Sequence, residues 1–110
     1  LVASASGNAY AYGIFNFQSS PTIHSSTISA SGGIIGLGIF NNSSDPGTYI
    51  VRINNSQVSG NTNTIRNNAY FITQIGATML EGGAVNIIGG TVNCAGVYDE
   101  NFVFYANTCP

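Results

Sequence analysis

The 110-residue chain has no lysine and no tryptophan, one histidine and one methionine, and only six formally charged residues. These are Arg52, Arg66, Asp45, Glu81, Asp99 and Glu100. Two arginines without lysine cannot neutralise a run of phosphates, which excludes nucleic acid and anionic lipid surfaces as partners. No apolar run approaches the roughly 20 residues of a bilayer span. The chain opens in mid-pattern, "LVASASG", without a basic leader, and is expected to be a piece of a longer protein or a mature product. The scarcity of charge does not make the chain disordered: hydrophobic residues are 44% of it, with thirteen isoleucines, and disordered segments lack such residues.

The two cysteines, Cys94 and Cys109, have neither CxxC spacing nor histidine neighbours, so zinc has little support and a disulfide is the better reading. A disulfide implies an oxidising compartment, hence export to the cell surface or beyond. No motif for a cofactor is present, and none is expected.

What the chain does contain is a repeated phrase. "SASGNAYAYGIFN" at Ser4–Asn16 returns as "SASGGIIGLGIFN" at Ser29–Asn41, with eight of thirteen positions identical at an offset of 25. The alignment extends if the second copy carries about five extra residues around Asp45–Tyr49: Ile23 then matches Ile53, Ser26 matches Ser56, Ile28 matches Val58 and Ser29 matches Ser59. Frequent β-branched residues, recurrent glycine and the absence of a 3.6-residue period argue against helix and for strands and turns. A period of this length in an all-β chain predicts stacked coils, a parallel β-helix in which like residues lie over like. Stacking of that kind suits aliphatic, aromatic and Asn side chains and penalises like charges, a physical reason for so few charges. The rival, an antiparallel sandwich, predicts no such repeat.

Within each copy, Tyr12 and Ile14, like Leu37 and Ile39, alternate with small residues and are expected to form the core face. Asn16 and Asn41 follow at the same place and are assigned to a sharp corner, because Asn tolerates the left-handed conformation. Past Gly60 the repeat fades. Residues 1–60 are therefore read as coils and 61–110 as terminal strands and a cap, with Ile65, Ile72 and Ile75 in the core and Phe102, Phe104 and Tyr105 available to cover the last coil.

The phrases "YGIFN", "SSPTIHSSTISASGG" and "GATMLEGGAVNIIGGTVNCAGVYDENFVFYANTCP" resemble the C-terminal part of bacterial right-handed parallel β-helix repeat proteins, of pectate-lyase-like architecture. The resemblance implies a right-handed solenoid with an atypical C-terminal capping segment. It carries over no catalytic residue.

Candidate chemistry is sparse. Asp45 lies in an Asp-Pro-Gly corner, Glu81 precedes Gly-Gly, and Asp99-Glu100, adjacent and so pointing apart on a strand, read as turn residues rather than a hydrolytic pair. Calcium at Asp99, Glu100 and Asn101 is a weak signal. His24 aligns with Asn54 and reads as a solvent-facing strand position. The aromatic residues Tyr10, Tyr12, Phe15, Phe17 and Phe40 form the one candidate ligand face, suited to stacking on sugar rings. A Ser/Thr face for ice is disfavoured, since Thr62-Asn63-Thr64 is the one Thr-X-Thr. Three functions remain. The first is a non-catalytic end of an exported fibre- or stalk-like protein, joined to further coils or to itself. The second is a carbohydrate-binding or adhesin module, and the third, least supported, a fragment of a polysaccharide-acting enzyme.

Overall fold

A computed structural model describes residues 2–110, of which 62% of the chain is strand with no helix among the described residues. The strands are β1 (Val2–Gly7), β2 (Tyr10–Phe17), β3 (Thr22–His24), β4 (Thr27–Gly32), β5 (Ile35–Asn42), β6 (Tyr49–Asn54) and β7 (Gln57–Gly60). They continue as β8 (Asn63–Asn67), β9 (Phe71–Gly76), β10 (Met79–Gly82), β11 (Asn86–Ile87), β12 (Thr91–Ala95), β13 (Val97–Asp99) and β14 (Phe104–Tyr105). Every third strand is a neighbour. The first sheet runs β1-β4-β7-β10-β13-β14, the second β2-β5-β8-β11 and the third β3-β6-β9-β12. All pairings are parallel except β13 with β14, which is antiparallel. Parallel pairing on this scale removes the antiparallel sandwich. The arrangement is all-β, is compatible with a β-solenoid and contains no closed barrel.

The register is the one the repeat predicts. Ser4 lies against Ser29, Ile14 against Ile39, Phe15 against Phe40, Ile23 against Ile53 and Ile28 against Val58. The extra residues of the second copy lengthen the connection between β5 and β6 and the start of β6, where Tyr49, Ile50 and Val51 precede Arg52, the partner of Thr22. Pairing then runs through Gly60 without a break, in steps along the first sheet of 25, 30, 22 and 19 residues (Val2 to Thr27, Gln57, Met79 and Tyr98). The later turns are shorter and keep apolar columns, with Ile65 under Ile39, Ile75 under Ile53 and Leu80 under Val58 facing in, and Ile72 under Ile50 facing out. These columns, with Val51, Phe71, Cys94 and Val97, make the core. Each such isoleucine or leucine contributes roughly 1.5–3 kcal/mol by leaving water.

Two core expectations are corrected. Ile72 is half-buried, because β9 turns Phe71, Thr73 and Ile75 inward and Ile72 falls on the other side. Tyr12 does not share a face with Ile14. A Cβ on Gly13 would stand 2.6 Å from the core atom Ile28 Cγ2, so position 13 points inward, yet Ile14 also packs on the core. The side-chain alternation therefore flips at Gly13, which drops out of the pairing with Gly38, and Tyr12 joins Phe15 on the outer face. Gly38 repeats the flip, a Cβ there meeting Thr64 O at 2.5 Å and Val58 Cγ1 at 2.7 Å. Leu37, the partner of Tyr12, is buried without joining the core cluster.

In the third turn the position of Gly13 and Gly38 is taken by Thr64, fully buried, with its hydroxyl unpartnered among the described residues. A buried hydroxyl without a partner costs about 1–3 kcal/mol. Thr64→Val should therefore raise stability by about 1 kcal/mol, read as a higher urea midpoint at unchanged slope. A lower midpoint would show that the hydroxyl is satisfied.

The left-handed corners are not at Asn16 and Asn41, which lie within β2 and β5 with side chains turned inside. One left-handed residue follows β2 at Gln18 (φ 50°), and the recurring left-handed corners are the residues after each third-sheet strand: Ser25, Asn55, Ala77 and Gly96, with φ of 48°, 50°, 45° and 67°. The next residue locks the turn in three of the four coils, its hydroxyl donating two residues back: Ser26 to His24 O (2.8 Å), Ser56 to Asn54 O (2.9 Å), Thr78 to Gly76 O (2.7 Å). Alanine is the poorest occupant, since a Cβ in this conformation costs roughly 1–2 kcal/mol. Ala77 is exposed, so Ala77→Gly is expected to stabilise by about 1 kcal/mol, and thermal unfolding below that of the parent would refute it.

Candidate functional site

The outer face of the second sheet carries the aromatic residues in one cluster. Tyr12 lies 5.8 Å from Phe15 and 5.5 Å from Phe40, Phe15 meets Phe40 edge-on at 5.2 Å, and Phe17 stacks beside Phe15 at 6.3 Å. The rings come together because the flip at Gly13 puts residues 12 and 15 on one side, which unbroken alternation forbids. Tyr10, Phe15 and Phe17 are 59%, 49% and 45% exposed, so the cluster is a surface. Phe40 continues the column to Arg66, whose guanidinium carbon lies 5.4 Å from its ring centre, within cation–π range. Beside it, Asn68 donates to Asn42 Oδ1 at 2.9 Å. Arg66 Nε and Asn68 Oδ1 are shielded from solvent and have no partner among the described residues. The face thus offers apolar rings, with the Arg66 guanidinium packed against Phe40 at their margin.

A second concavity escaped the sequence reading. On the outer side of the third sheet a groove of about 410 Å³ is bordered by Arg52, Asn54, Gln74 and Asn93 over the small residues Gly76 and Ala95. Arg52, Gln74 and Asn93 are register partners on β6, β9 and β12, spaced 22 and 19 residues apart. Unequal steps hide such a column from a period search; only the pairing reveals it. His24 lies on this sheet as expected, exposed and hydrogen-bonded through Nδ1 to its register partner Asn54.

The carboxylates are engaged separately. Asp45 accepts from Gln18 Nε2 at 3.2 Å and Glu81 from Gln57 Nε2 at 2.9 Å. Asp99 builds the last turn: Oδ1 accepts from Asn101 N (2.9 Å) and Val103 N (3.1 Å), and Oδ2 from Tyr105 Oη (3.1 Å). Those bonds engage both Asp99 oxygens, and no group of three or more His, Cys, Asp or Glu that could hold a metal gathers among the described residues. Lost hydration pushes the Asp99 carboxyl upward, but the bonds from Val103, Asn101 and Tyr105 more than offset it and hold it below its ordinary 3.8. A depressed folded value contributes stability above the ordinary one and loses it as pH falls through the folded value. The turn should therefore loosen in acid below pH 3.8, with the protection of the Asn101 and Val103 amides from exchange falling toward none. Asp99→Asn should show that loosening already at neutral pH, and protection equal to the parent's would rule it out.

Cys94 and Cys109 are joined in a disulfide across 15 residues, as expected from the sequence. The bridge ties the tail under β12, and Gly96 N to Ala106 O (3.1 Å) and Val85 N to Pro110 O (3.0 Å) fasten the tail further. Of the aromatic residues assigned to the cap, only Tyr105 packs on the core; Phe102 and Phe104 are 78% and 67% exposed. Phe102 sits in a left-handed turn with φ 59°, which throws its ring outward against Tyr98.

Comparison with protein-family models, with curated proteins and with solved structures finds no match.

Proposed function

We propose that the chain is a non-catalytic structural module, the C-terminal end of a right-handed parallel β-helix in an exported fibre- or stalk-like surface protein. One observation carries the reading, the difference between the two ends of the stack. At one end β13 pairs with β14, and the disulfide-tied tail closes the core. At the other, no comparable tail lies across the stack among the described residues, and β1, β2 and β3, which like β11 and β12 at the tail end have a neighbour on one side only, leave their outward edges open to pairing. A stack closed at one end and open at the other is suited to terminate a rod that continues through further coils or through self-association. The disulfide supports an oxidising location. The test is antibody labelling of intact cells producing the full gene product. Surface signal that disappears on external protease treatment is expected; signal only after permeabilisation overturns the reading.

A second reading, carbohydrate binding, draws support from the outer aromatic cluster with the Arg66 guanidinium packed against Phe40 at its margin. It requires binding on a glycan array that Phe17→Ala reduces.

A further inference from the structure

The open edge of the second sheet has a symmetry of its own. Strand β2 reads Tyr-Ala-Tyr-Gly-Ile-Phe-Asn-Phe, with aromatic residues at 10, 12, 15 and 17, placed evenly about the midpoint between Gly13 and Ile14. The flip at Gly13 makes the pattern hold in space as well. Tyr12, Phe15 and Phe17 are in ring contact on the outer face, with Tyr10 two residues from Tyr12 and exposed. Positions 11, 13, 14 and 16 turn inward: Ala11 and Asn16 are buried, Gly13 faces Ile28, and Ile14 packs on the core. The inward and outward pattern of the strand, and the places of its aromatic residues, are thus unchanged by reversing its direction.

A strand with that property is complementary to itself in antiparallel pairing. We propose that the free edge of β2 pairs with β2 of a second copy of this chain about a twofold axis through its midpoint. Tyr10 then lies opposite Phe17 of the partner subunit, and Tyr12 opposite Phe15 of the partner subunit. Cross-strand aromatic pairs of this kind are among the more stabilising in a sheet, and a twofold interface uses the same patch on both subunits.

Charge agrees with the pairing. A twofold axis sets each residue near its own copy, so charges near it repel, and no Asp, Glu, Lys or Arg occurs from Val2 to Ser44. The edge also lacks the usual guards against such pairing: β2 contains no lysine and no proline. The pairing continues an existing interface, since β2 already pairs with β5 on its other side, and two four-stranded sheets become one. The exposed parts of four rings, each carrying roughly 150–250 Å², supply about half of the ~800 Å² per partner of a standard interface. The rest comes from the backbone edges, and a dimer of roughly micromolar affinity is expected.

This inference rests on the self-association form of the structural-module reading, in which the open edge of β2 meets a second copy rather than a further coil, and names its partner. Sedimentation equilibrium of the 110-residue chain should give a mass moving from 11.4 kDa toward twice that value as concentration rises through the micromolar range. Tyr10→Lys with Phe17→Lys places like charges opposite each other and should weaken the dimer by about 100-fold. Tyr10→Lys with Phe17→Glu places opposite charges there and should restore most of it, a result specific to this register. Both positions are exposed, and an unchanged circular dichroism spectrum verifies the fold of each variant. A chain that stays monomeric at millimolar concentration overturns the pairing, as does a double-lysine variant as dimeric as the parent or a Lys/Glu variant no stronger than the double lysine. A monomer that instead binds immobilised polysaccharide overturns it in favour of the carbohydrate reading. Because surface labelling of intact cells is read separately, a monomer found at the surface removes the twofold pairing and leaves the module.

Discussion

Asn41→Asp is expected to leave the protein near its normal stability in acid and to unfold it, or nearly so, at neutral pH. Asn41 is fully buried at the centre of a ladder that crosses three turns. Asn16 Nδ2 donates to Asn41 Oδ1 at 3.1 Å; Asn41 Nδ2 donates to Asn67 Oδ1 at 3.2 Å and to Thr73 Oγ1 at 3.1 Å. Thr73 Oγ1 in turn donates to Asn67 Oδ1 at 2.7 Å, and Asn67 Nδ2 to Gly89 O at 2.9 Å. A neutral aspartic acid keeps the acceptor toward Asn16 and retains one donor toward Asn67. An ionised one sets a carboxylate oxygen against the Asn67 carbonyl oxygen in a fully buried site. An unpaired buried charge of that kind costs about 3–5 kcal/mol, a large part of the 5–15 kcal/mol that holds a typical domain together.

The sign follows from linkage. Burial raises the folded value of the new carboxyl above its unfolded ~3.9. The variant is therefore least destabilised below about pH 3.9 and loses stability as pH rises through the folded value. Urea unfolding of variant and parent at pH 3 and pH 7 measures it, the parent correcting for the opposite acid response of Asp99. Asn41→Ala, which cannot ionise, should cost several kcal/mol equally at both pH values. Equal losses for Asn41→Asp at the two pH values would contradict this account.

Removal of the disulfide is expected to have the next largest effect. Cys94 is 4% exposed within the core cluster and Cys109 packs against it, so the bridge is both a cross-link and a core element. Closing a loop of 15 residues is worth about 3 kcal/mol in the chain-entropy account. Cys94→Ala with Cys109→Ser should lower stability by about that amount. Loss should be greatest at the closed end, where Gly96 and Val85 lose protection from amide exchange before the amides of β4 and β5. A variant with parental stability, or one that opens first at β4, would refute the assignment of the tail as the cap.

Much of the fold was legible because stacked turns write their register as repeated residues. Ile14 over Ile39, Ile23 over Ile53 and Ser4 over Ser29 follow directly from the phrase and its second copy. That signal weakens when the turns shorten to 22 and 19 residues and the column identities change, as from Phe40 to Arg66. The third and fourth turns, and with them the Arg52–Gln74–Asn93 column, were invisible for that reason. The aromatic residues of the candidate face were legible as a set; their gathering on one side was not, because it depends on the flip at Gly13.

The sequence by itself determined the class and its composition: all-β with a 25-residue step, one cysteine pair, and only six formally charged residues. Only the tertiary structure decided which way each repeated residue points. Asn16 and Asn41, read as corners, lie inside because their amides satisfy one another from turn to turn, while Ser25, Asn55 and Ala77 take the left-handed corners. Tyr12 left the core because a glycine without a Cβ lets the backbone reverse its alternation. An identity repeat records which residues lie above one another; the face they share is fixed by backbone twist and by hydrogen bonds between turns, which leave no residue pattern of their own.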